Sequence, residues 1–576
     1  MQLLEVKNLN ISFQGNHVVK NVSFSLNKRE TLGIVGESGS GKTVTALSIM
    51  RLLSQDASID GIINFSPTQK SPINLCEISA DEMRHFRGND IAMIFQEPMT
   101  SLNPVLSCGY QVAESLIAHK NLSKKEAREQ TVTWFEKVNL PRSDVMFDSF
   151  PHQLSGGQKQ RVMIAMAMCC NPSLLIADEP TTALDVTVQS AILSLMRTLQ
   201  KENNMGMLFI THDLGVVAEI ADRILVMYKG KIVEENSVTN IFSNPQHPYT
   251  KGLLACRPPL NKRLRKLPTV RDFIKEENGE IVEIKTSDFS SQNEILPEET
   301  QAKRRVIYSN TPVLKVEKIK VHFPISKRIF GRTTEYVLAV DDISFDVYPG
   351  ETLGIVGESG SGKTTLGRTI LRLIEPTSGK IIFKGKDFSS IHGKELREMR
   401  KFIQMIFQDP YSSLNPRMTI GNAIIEPLKV HNLYRNKRKE RVYELMEMVK
   451  LNSEYFDRYP HEISSGQRQR VCIARALSVE PEFLICDESV SSLDVSIQAQ
   501  VLNLINDLKR SLNFTCIFIS HDVSVVKFMS DRIVVMKEGR IEEIGDSDQL
   551  FSSPSSAYTQ KLFNAIPAQS SLLFTP

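Results

Sequence analysis

The fourteen-residue string ETLGIVGESGSGKT occurs twice in the chain, at Glu30–Thr43 and again at Glu351–Thr364. Its core, G-x-x-x-x-G-K-[ST], is a phosphate-cradling loop between an apolar strand and a helix. Both copies have those surroundings. Leu32–Val35 and Leu353–Val356 precede them as apolar runs, and Val44–Leu53 and Thr365–Ile374 follow as helical patterns. In the first copy the loop is Gly36, Glu37, Ser38, Gly39, Ser40, Gly41, Lys42 and Thr43; in the second it is Gly357, Glu358, Ser359, Gly360, Ser361, Gly362, Lys363 and Thr364. The glycines let backbone N–H groups turn toward phosphates, and the helix adds its positive N-terminal end. Lys42 and Lys363 are placed to reach the β- and γ-phosphates, and Thr43 and Thr364 to ligate Mg²⁺. The duplication implies a chain that binds nucleoside triphosphate twice.

Other landmarks recur in the same order. Ser155, Asp178, Glu179 and His212 each have a counterpart 309 positions on, at Ser464, Asp487, Glu488 and His521. A period this long signals a duplicated domain and excludes a solenoid. At 576 residues the chain also exceeds what one core supports. We expect a first domain over 1–261, a charged linker over 262–311 and a second domain over 312–576. The linker opens on the basic run Lys262–Lys266, carries Glu276, Glu277, Glu280, Glu298 and Glu299, and is interrupted by Pro268, Gly279 and Pro297. That composition predicts an exposed, partly mobile segment. Within each half, apolar β-type runs alternate with helical patterns, the mark of α/β units around a largely parallel sheet.

Composition narrows the function. A hydrophobic fraction of 41% and mean hydropathy of −0.17 fit a soluble globular chain. A net charge of +3 gives no support to a nucleic-acid footprint. No apolar stretch is long enough to span a bilayer and no signal-peptide pattern opens the chain, so a membrane role is expected to be peripheral, through a partner. None of the eight cysteines forms C-x-x-C, which predicts no zinc or iron–sulfur site and a reducing cytosol.

Leu174–Ala177 and Phe483–Cys486 are apolar runs ending in the pairs Asp178–Glu179 and Asp487–Glu488. Carboxylates released at the C-terminal end of a buried strand occupy the usual site of open α/β sheets. The first acid is placed to hold the Mg²⁺ shell; the second to act as general base or to polarise the attacking water. Upstream, Ser155, Gly156, Gly157 and Gln158 open one helix, and Ser464, Ser465, Gly466 and Gln467 open its counterpart. A serine and glycines at a helix start offer N–H groups and a hydroxyl to an anion; a plain N-cap is the alternative.

S-G-G-Q, the phosphate loop and the D-E strand together resemble the nucleotide-binding domains of ABC ATPases, and the resemblance covers all but the linker. It implies two tandem P-loop NTPase domains, each a mainly parallel sheet with an antiparallel β subdomain and a helical subdomain, using ATP and Mg²⁺. It implies that Gln96 and Gln408 are Q-loop residues near Mg²⁺, that Asp185 and Asp494 belong to D-loops, and that His212 and His521 are switch histidines touching the γ-phosphate. Phe13 and Phe323 are candidates for stacking on adenine, with core aromatics as the equal alternative. The family also implies head-to-tail packing, pairing Lys42 and Glu179 with Ser464 and Gly466, and Lys363 and Glu488 with Ser155 and Gly157. The second signature departs from the pattern at Ser465. A side chain there either crowds the nucleotide or restricts a φ > 0 backbone, making the Lys42 site the slower one, or is tolerated at a helix start.

Two further segments resemble the ATPase subunits of bacterial dipeptide, oligopeptide, glutathione and nickel importers. One is E-P-M-T-S-L-N-P (Glu97–Pro104), with D-P-Y-S-S-L-N-P (Asp409–Pro416) in the second half; the other is Q-H-P-Y-T-K-G-L-L (Gln246–Leu254), echoed at Ala557–Leu562. They read as turn-rich loops or, since both recur, as a docking surface. That resemblance implies two transmembrane permease subunits, an indirectly engaged substrate-binding protein, no nucleic acid, and a peripheral place on the cytoplasmic face of a bacterial inner membrane. A ribosome-acting twin-domain ABC protein is the rival; its usual long charged helical arm is not the pattern of this linker. A DNA-repair ATPase would need zinc-type cysteine pairs.

Overall fold

The computed structural model describes residues 1–67, 72–96, 101–182, 184–277, 280–284, 293–324, 336–491 and 493–565. Two compact units emerge. One comprises Met1–Leu254 with Val270–Ile284, the other Ala255–Thr269 with Lys285–Ile566.

In the first unit, β1 (Gln2–Phe13), β2 (Asn16–Asn27), β4 (Ala57–Phe65) and β5 (Ile73–Asn74) form an antiparallel sheet of order β2-β1-β4-β5. A second sheet has the order β10-β9-β3-β8-β7-β6, from β3 (Thr31–Val35), β6 (Ile91–Ile94), β7 (Leu174–Asp178), β8 (Gly206–Thr211), β9 (Arg223–Tyr228) and β10 (Lys231–Ser237). Every neighbour in it is parallel except the β9–β10 hairpin. β3, β7 and β8 are buried along their whole length, as expected for strands covered on both faces. Leu3, Leu9, Ile34, Ile49, Phe65 and Leu208 belong to one core that joins the two sheets around the helix Lys42–Ile49. Between β6 and β7 the chain builds the helices Cys108–Lys120, Lys124–Lys137, Ser143–Asp148 and Gly156–Met168.

A small hairpin, β11 (Ile274–Glu277) and β12 (Glu280–Glu283), follows within the same unit. The second unit repeats the plan. Its antiparallel sheet runs β14-β13-β16-β17, from β13 (Leu314–Pro324), β14 (Tyr336–Val347), β16 (Ser378–Phe383) and β17 (Lys386–Asp387). Its mainly parallel sheet runs β18-β19-β20-β15-β21-β22, from β15 (Thr352–Gly357), β18 (Ile403–Ile406), β19 (Phe483–Asp487), β20 (Thr515–Ile519), β21 (Arg532–Lys537) and β22 (Arg540–Asp546). The helices Ile420–Val430, Arg438–Met448 and Ser465–Leu477 match the helical insertion. Each unit is thus an α/β domain with the three expected parts.

The linker departs from an exposed coil. Pro297–Tyr308 is a helix started by Pro297 at its first turn. Its Arg304, 14% exposed, pairs with Asp546 and Asp548, and Lys303 lies 2.6 Å from Asp531. Upstream, Asn503 clamps the backbone of Leu267 from both sides, accepting its N–H and donating to its carbonyl at 2.8 Å each. Arg263, Lys303 and Arg304 of the linker thus face acids of the second unit, a complementarity that composition does not reveal.

Candidate nucleotide site

Parallel order places the site. β3 lies beside β8, and β8 beside β7, so the loop after β3, the acids at the end of β7 and the histidine after β8 gather at one C-terminal edge. Lys42 is 5% exposed and turns back over the loop, its Nζ donating to the Gly36 and Glu37 carbonyls at 2.8 and 2.9 Å. Lys363 repeats this with Gly357 and Glu358, both at 2.8 Å. Gly36 approaches the Met227 carbonyl so closely that a Cβ would stand 2.2 Å from its oxygen, and Gly41 takes φ +100 at the helix start.

Thr43 donates to Asp178 Oδ1 at 3.2 Å, and Thr364 to Asp487 Oδ1 at 2.9 Å. Burial pushes the Asp178 carboxyl up to about 6; Glu179 adds to the rise, and the Thr43 hydrogen bond and Lys42 oppose it. Asp487 is raised for the same first reason. Its Oδ2 is buried without a hydrogen-bond partner, an oxygen suited to a hard cation. Among the described residues no three His, Cys, Asp or Glu side chains group to hold a metal. A Mg²⁺ here would therefore complete its shell with phosphate oxygens and water, its usual habit.

Glu179 adopts φ 47 and Glu488 φ 45, a left-handed backbone that non-glycine residues seldom take. Each turn is fixed by the adjacent strand: the Glu179 N–H donates to the Ile210 carbonyl and the Glu488 N–H to that of Ile519, both at 2.9 Å. Gln96 donates to Glu179 at 3.0 Å and Thr182 at 2.9 Å, while His212 Nδ1 lies 3.1 Å away. Burial raises the Glu179 carboxyl, but the His212 hydrogen bond and charge, with Thr182 and Lys42, outweigh it and hold it at about 2. In the second unit Gln408 donates to Glu488 at 2.7 Å and His521 Nδ1 lies at 3.3 Å. Burial depresses the His521 imidazole, yet the Glu488 hydrogen bond and charge raise it above its ordinary value. Each unit thus gathers lysine, threonine, both acids, glutamine and histidine.

The signature residues start helices. Ser155 accepts from the Gln158 N–H while Gln158 accepts from the Ser155 N–H, a reciprocal capping box repeated by Ser464 and Gln467. Ser465 is the first helical residue and is not in the left-handed region, so the backbone-strain reading of this substitution fails. At the matching Gly156 an added Cβ meets only Leu184, at an ordinary 3.7 Å. The next glycine is the constrained one: a Cβ on Gly157 would stand 2.7 Å from Val188, and on Gly466 2.5 Å from Ile497. Asp185 caps the helix Val186–Asn203 through the Val188 N–H, whereas Asp494 precedes its helix without a side-chain cap bond.

Phe13 is half-buried against the first core, and Phe323 is 40% exposed near the end of β13. Of the segments read as docking loops, Glu97–Thr100 lie outside the described residues. Asp409 caps the turn Pro410–Ser413 and leaves Tyr411 58% exposed. Gln246–Leu254 differs: Tyr249 is fully buried, and its hydroxyl accepts the Glu37 N–H at 3.0 Å. Tyr558 does the same for Glu358 at 3.3 Å. The sequence placed these tyrosines on a surface; their 309-residue spacing, shared with the acids and histidines, is the signal that sets them among the site's landmarks.

Two units each carrying a P-loop, an acid pair at the neighbouring strand ends and a histidine define a tandem P-loop ATPase. The model of the ABC transporter family matches residues 19–182 and 340–491, and that of the oligopeptide/dipeptide transporter C-terminal region matches 233–278 and 543–571. The chain belongs to the ABC transporter family and is one of its ATPases. It is similar to the glutathione import ATP-binding protein GsiA of Escherichia coli O6:H1, 49% identical over 98% of this chain and 89% of that protein. The GsiA proteins of Shigella boydii serotype 4 and of Escherichia coli K12 are 49% and 48% identical, with the same shares covered. A solved ATP-binding cassette, MJ0796 bound to ADP and Pi, is 27% identical with a TM-score of 0.37, covering 41% of this chain and 98% of its own.

Proposed function

We propose that the chain is the ATP-hydrolysing subunit of an importer that energises uptake of glutathione or a related short peptide through two separate permease subunits, supplied by a substrate-binding protein. The observation that carries this reading is the 49% identity to glutathione import ATP-binding proteins over 98% of the chain, together with both matches to the peptide-transporter C-terminal region. Nickel fits that evidence less well than a peptide. No helix among the described residues is long and apolar enough to cross a membrane, which suits a subunit that meets the bilayer only through permeases at its cytoplasmic face.

In this reading Lys42 and Lys363 leave their loop carbonyls for the β- and γ-phosphates, where an ammonium offsets the charge of the transferring group. Thr43 with Asp178, Thr364 with Asp487, and the glutamines Gln96 and Gln408 would hold Mg²⁺. Bound there, Mg²⁺ supplies electrostatic stabilisation of the phosphates. Glu179, held at about 2 while His212 stays on it, is ionised at neutral pH, which suits it to orient and polarise water. His212 and His521, now on the glutamates, are the groups that would turn to a γ-phosphate. We further infer two ATP sites, each using one half's loop with the other half's signature.

The test is uptake of labelled glutathione by cells carrying the wild-type chain, the deletion, or the Lys42→Ala/Lys363→Ala double variant, with affinity purification from membranes. Uptake should fall to background in both mutants, and two permeases should copurify. Unchanged uptake would overturn the solute; recovery of ribosomes alone would overturn the transport class.

A further inference from the structure

The segment that follows the last strand of each mainly parallel sheet does more than present a surface. In the first unit the Glu234 carboxylate, on β10 and 9% exposed, accepts the N–H groups of Gln246 and His247 at 2.8 and 3.0 Å. His247 Nδ1 then accepts the Tyr249 N–H at 3.1 Å. Tyr249 packs against Tyr228 with ring centroids 4.3 Å apart and planes tilted by 42°, and its hydroxyl accepts the Glu37 N–H. The second unit rebuilds the device with other residues. Glu543 accepts the N–H groups of Ser555 and Ser556 at 2.8 and 3.1 Å, Ser556 Oγ accepts the Tyr558 N–H at 3.1 Å, and the Tyr558 hydroxyl accepts the Glu358 N–H. Lys537 stands 5.1 Å from the Tyr558 ring, where the first unit has Tyr228.

The acid and the tyrosine keep their spacing in both halves while the supporting side chains change from histidine to serine and from tyrosine to lysine. The constant element is one phenol oxygen on the second residue of the phosphate loop. Glu37 sits between Gly36, jammed against Met227, and the turn closed by the Ser40 N–H on the Glu37 carbonyl at 3.1 Å. Lys42 uses the same carbonyl. Fixing the Glu37 amide therefore fixes the peptide against which the lysine is stored and the phosphates are to be cradled.

We propose that Tyr249 and Tyr558 are positioning residues of the two nucleotide sites, holding the phosphate loops in binding conformation through the Glu37 and Glu358 amides, so that the segment following each mainly parallel sheet is part of that unit's nucleotide site. This rests on the ATPase reading. Tyr249→Phe/Tyr558→Phe in the full chain keeps both rings and removes only the hydroxyls. A fluorescent ATP analogue with Mg²⁺ should then bind about three- to tenfold more weakly. KM for ATP should rise in step while kcat stays within about twofold, and the Glu37 and Glu358 amides should exchange faster with solvent. Unchanged affinity and KM, or unchanged exchange at both amides, would overturn the inference. A lowered unfolding midpoint with KM unmoved would likewise reduce the tyrosines to packing. If the wild-type chain hydrolyses no ATP, the ATPase reading falls instead, and the exchange rates still report whether the hydroxyls hold the loops.

Discussion

His212 Nδ1 lies 3.1 Å from Glu179 Oε1, so the histidine expected at the γ-phosphate is parked on the carboxylate expected to position water. Gln96 binds the other oxygen of the same carboxylate, at 3.0 Å. The glutamate is thereby the hub that ties Gln96, Thr182 and His212 together, and it sits on a left-handed backbone. Nucleotide binding must redistribute these contacts, which makes the hub a sensitive place to perturb.

Glu179→Gln and Glu488→Gln should each lower steady-state ATP turnover, and the double variant should lose at least a hundredfold, about 3 kcal/mol of barrier, while still binding ATP. If the side chain of Ser465 hampers the Lys42 site, Glu488→Gln leaves the smaller residual rate. Equal residual rates would remove that asymmetry.

Asp178 and Glu179 predict opposite effects of pH. The Asp178 pKa is raised to about 6, so its protonated form is favoured by folding; that contribution is present below about pH 4 and lost as pH rises through 6. Asp178→Asn should therefore stabilise the Mg²⁺-free first unit at pH 7.5, by on the order of 2 kcal/mol. Glu179, held at about 2, contributes stability above about pH 4.5 that is lost as pH falls toward 2. Glu179→Gln should lower the unfolding midpoint at pH 7.5. Calorimetry across pH 4–8 separates the two.

Mg²⁺-dependent ATP binding should weaken between pH 7 and 5, because a proton competes for the Asp178 carboxylate. Binding measured by fluorescence titration should follow an apparent pKa near 6 in the wild type. In the Asp178→Asn/Asp487→Asn double variant it should be weak and should lose that dependence, whereas Asp178→Asn alone leaves the second site titrating.

Gly36→Ala should abolish ATP binding at the first phosphate loop and leave that of the second, since its Cβ would stand 2.2 Å from the Met227 carbonyl oxygen. Gly39→Ala, at φ +78 with nothing within 4 Å, should cost only the left-handed strain, about 1–2 kcal/mol. Equal affinities of the two variants would contradict this ranking.

Asn503→Ala should destabilise the second unit by about 2–4 kcal/mol, because it strands the buried N–H and carbonyl of Leu267. Limited proteolysis should then cut faster within Lys262–Lys266, with the first unit's unfolding unchanged.

Much of the architecture was legible because its signals are local. The alternation of apolar runs with helical patterns announced parallel α/β units, and the phosphate loop needs only neighbours in sequence to be recognised. The acids Asp178 and Asp487 and the histidines were placed by their order along the chain, and the sheet order brings them together. What escaped were contacts between distant segments. The linker reads as partly mobile when its charges are counted alone; Arg304 meets Asp546 and Asp548, the latter 244 residues away in sequence. Ser465 suggested backbone strain because glycine was taken to imply positive φ, whereas the position is a helical first turn.

The sequence by itself determined that two phosphate loops exist, that they are identical, and that each is accompanied by the same ordered set of polar residues. Tertiary structure decided what holds them. An identical loop is seated by a tyrosine backed by Tyr228 in one unit and by one lying beside Lys537 in the other. The physical reason is range: a glycine pattern is a statement about neighbouring φ angles. The partner of the Glu37 amide lies 212 residues away and is chosen by how β10 and the following helix pack back onto the loop.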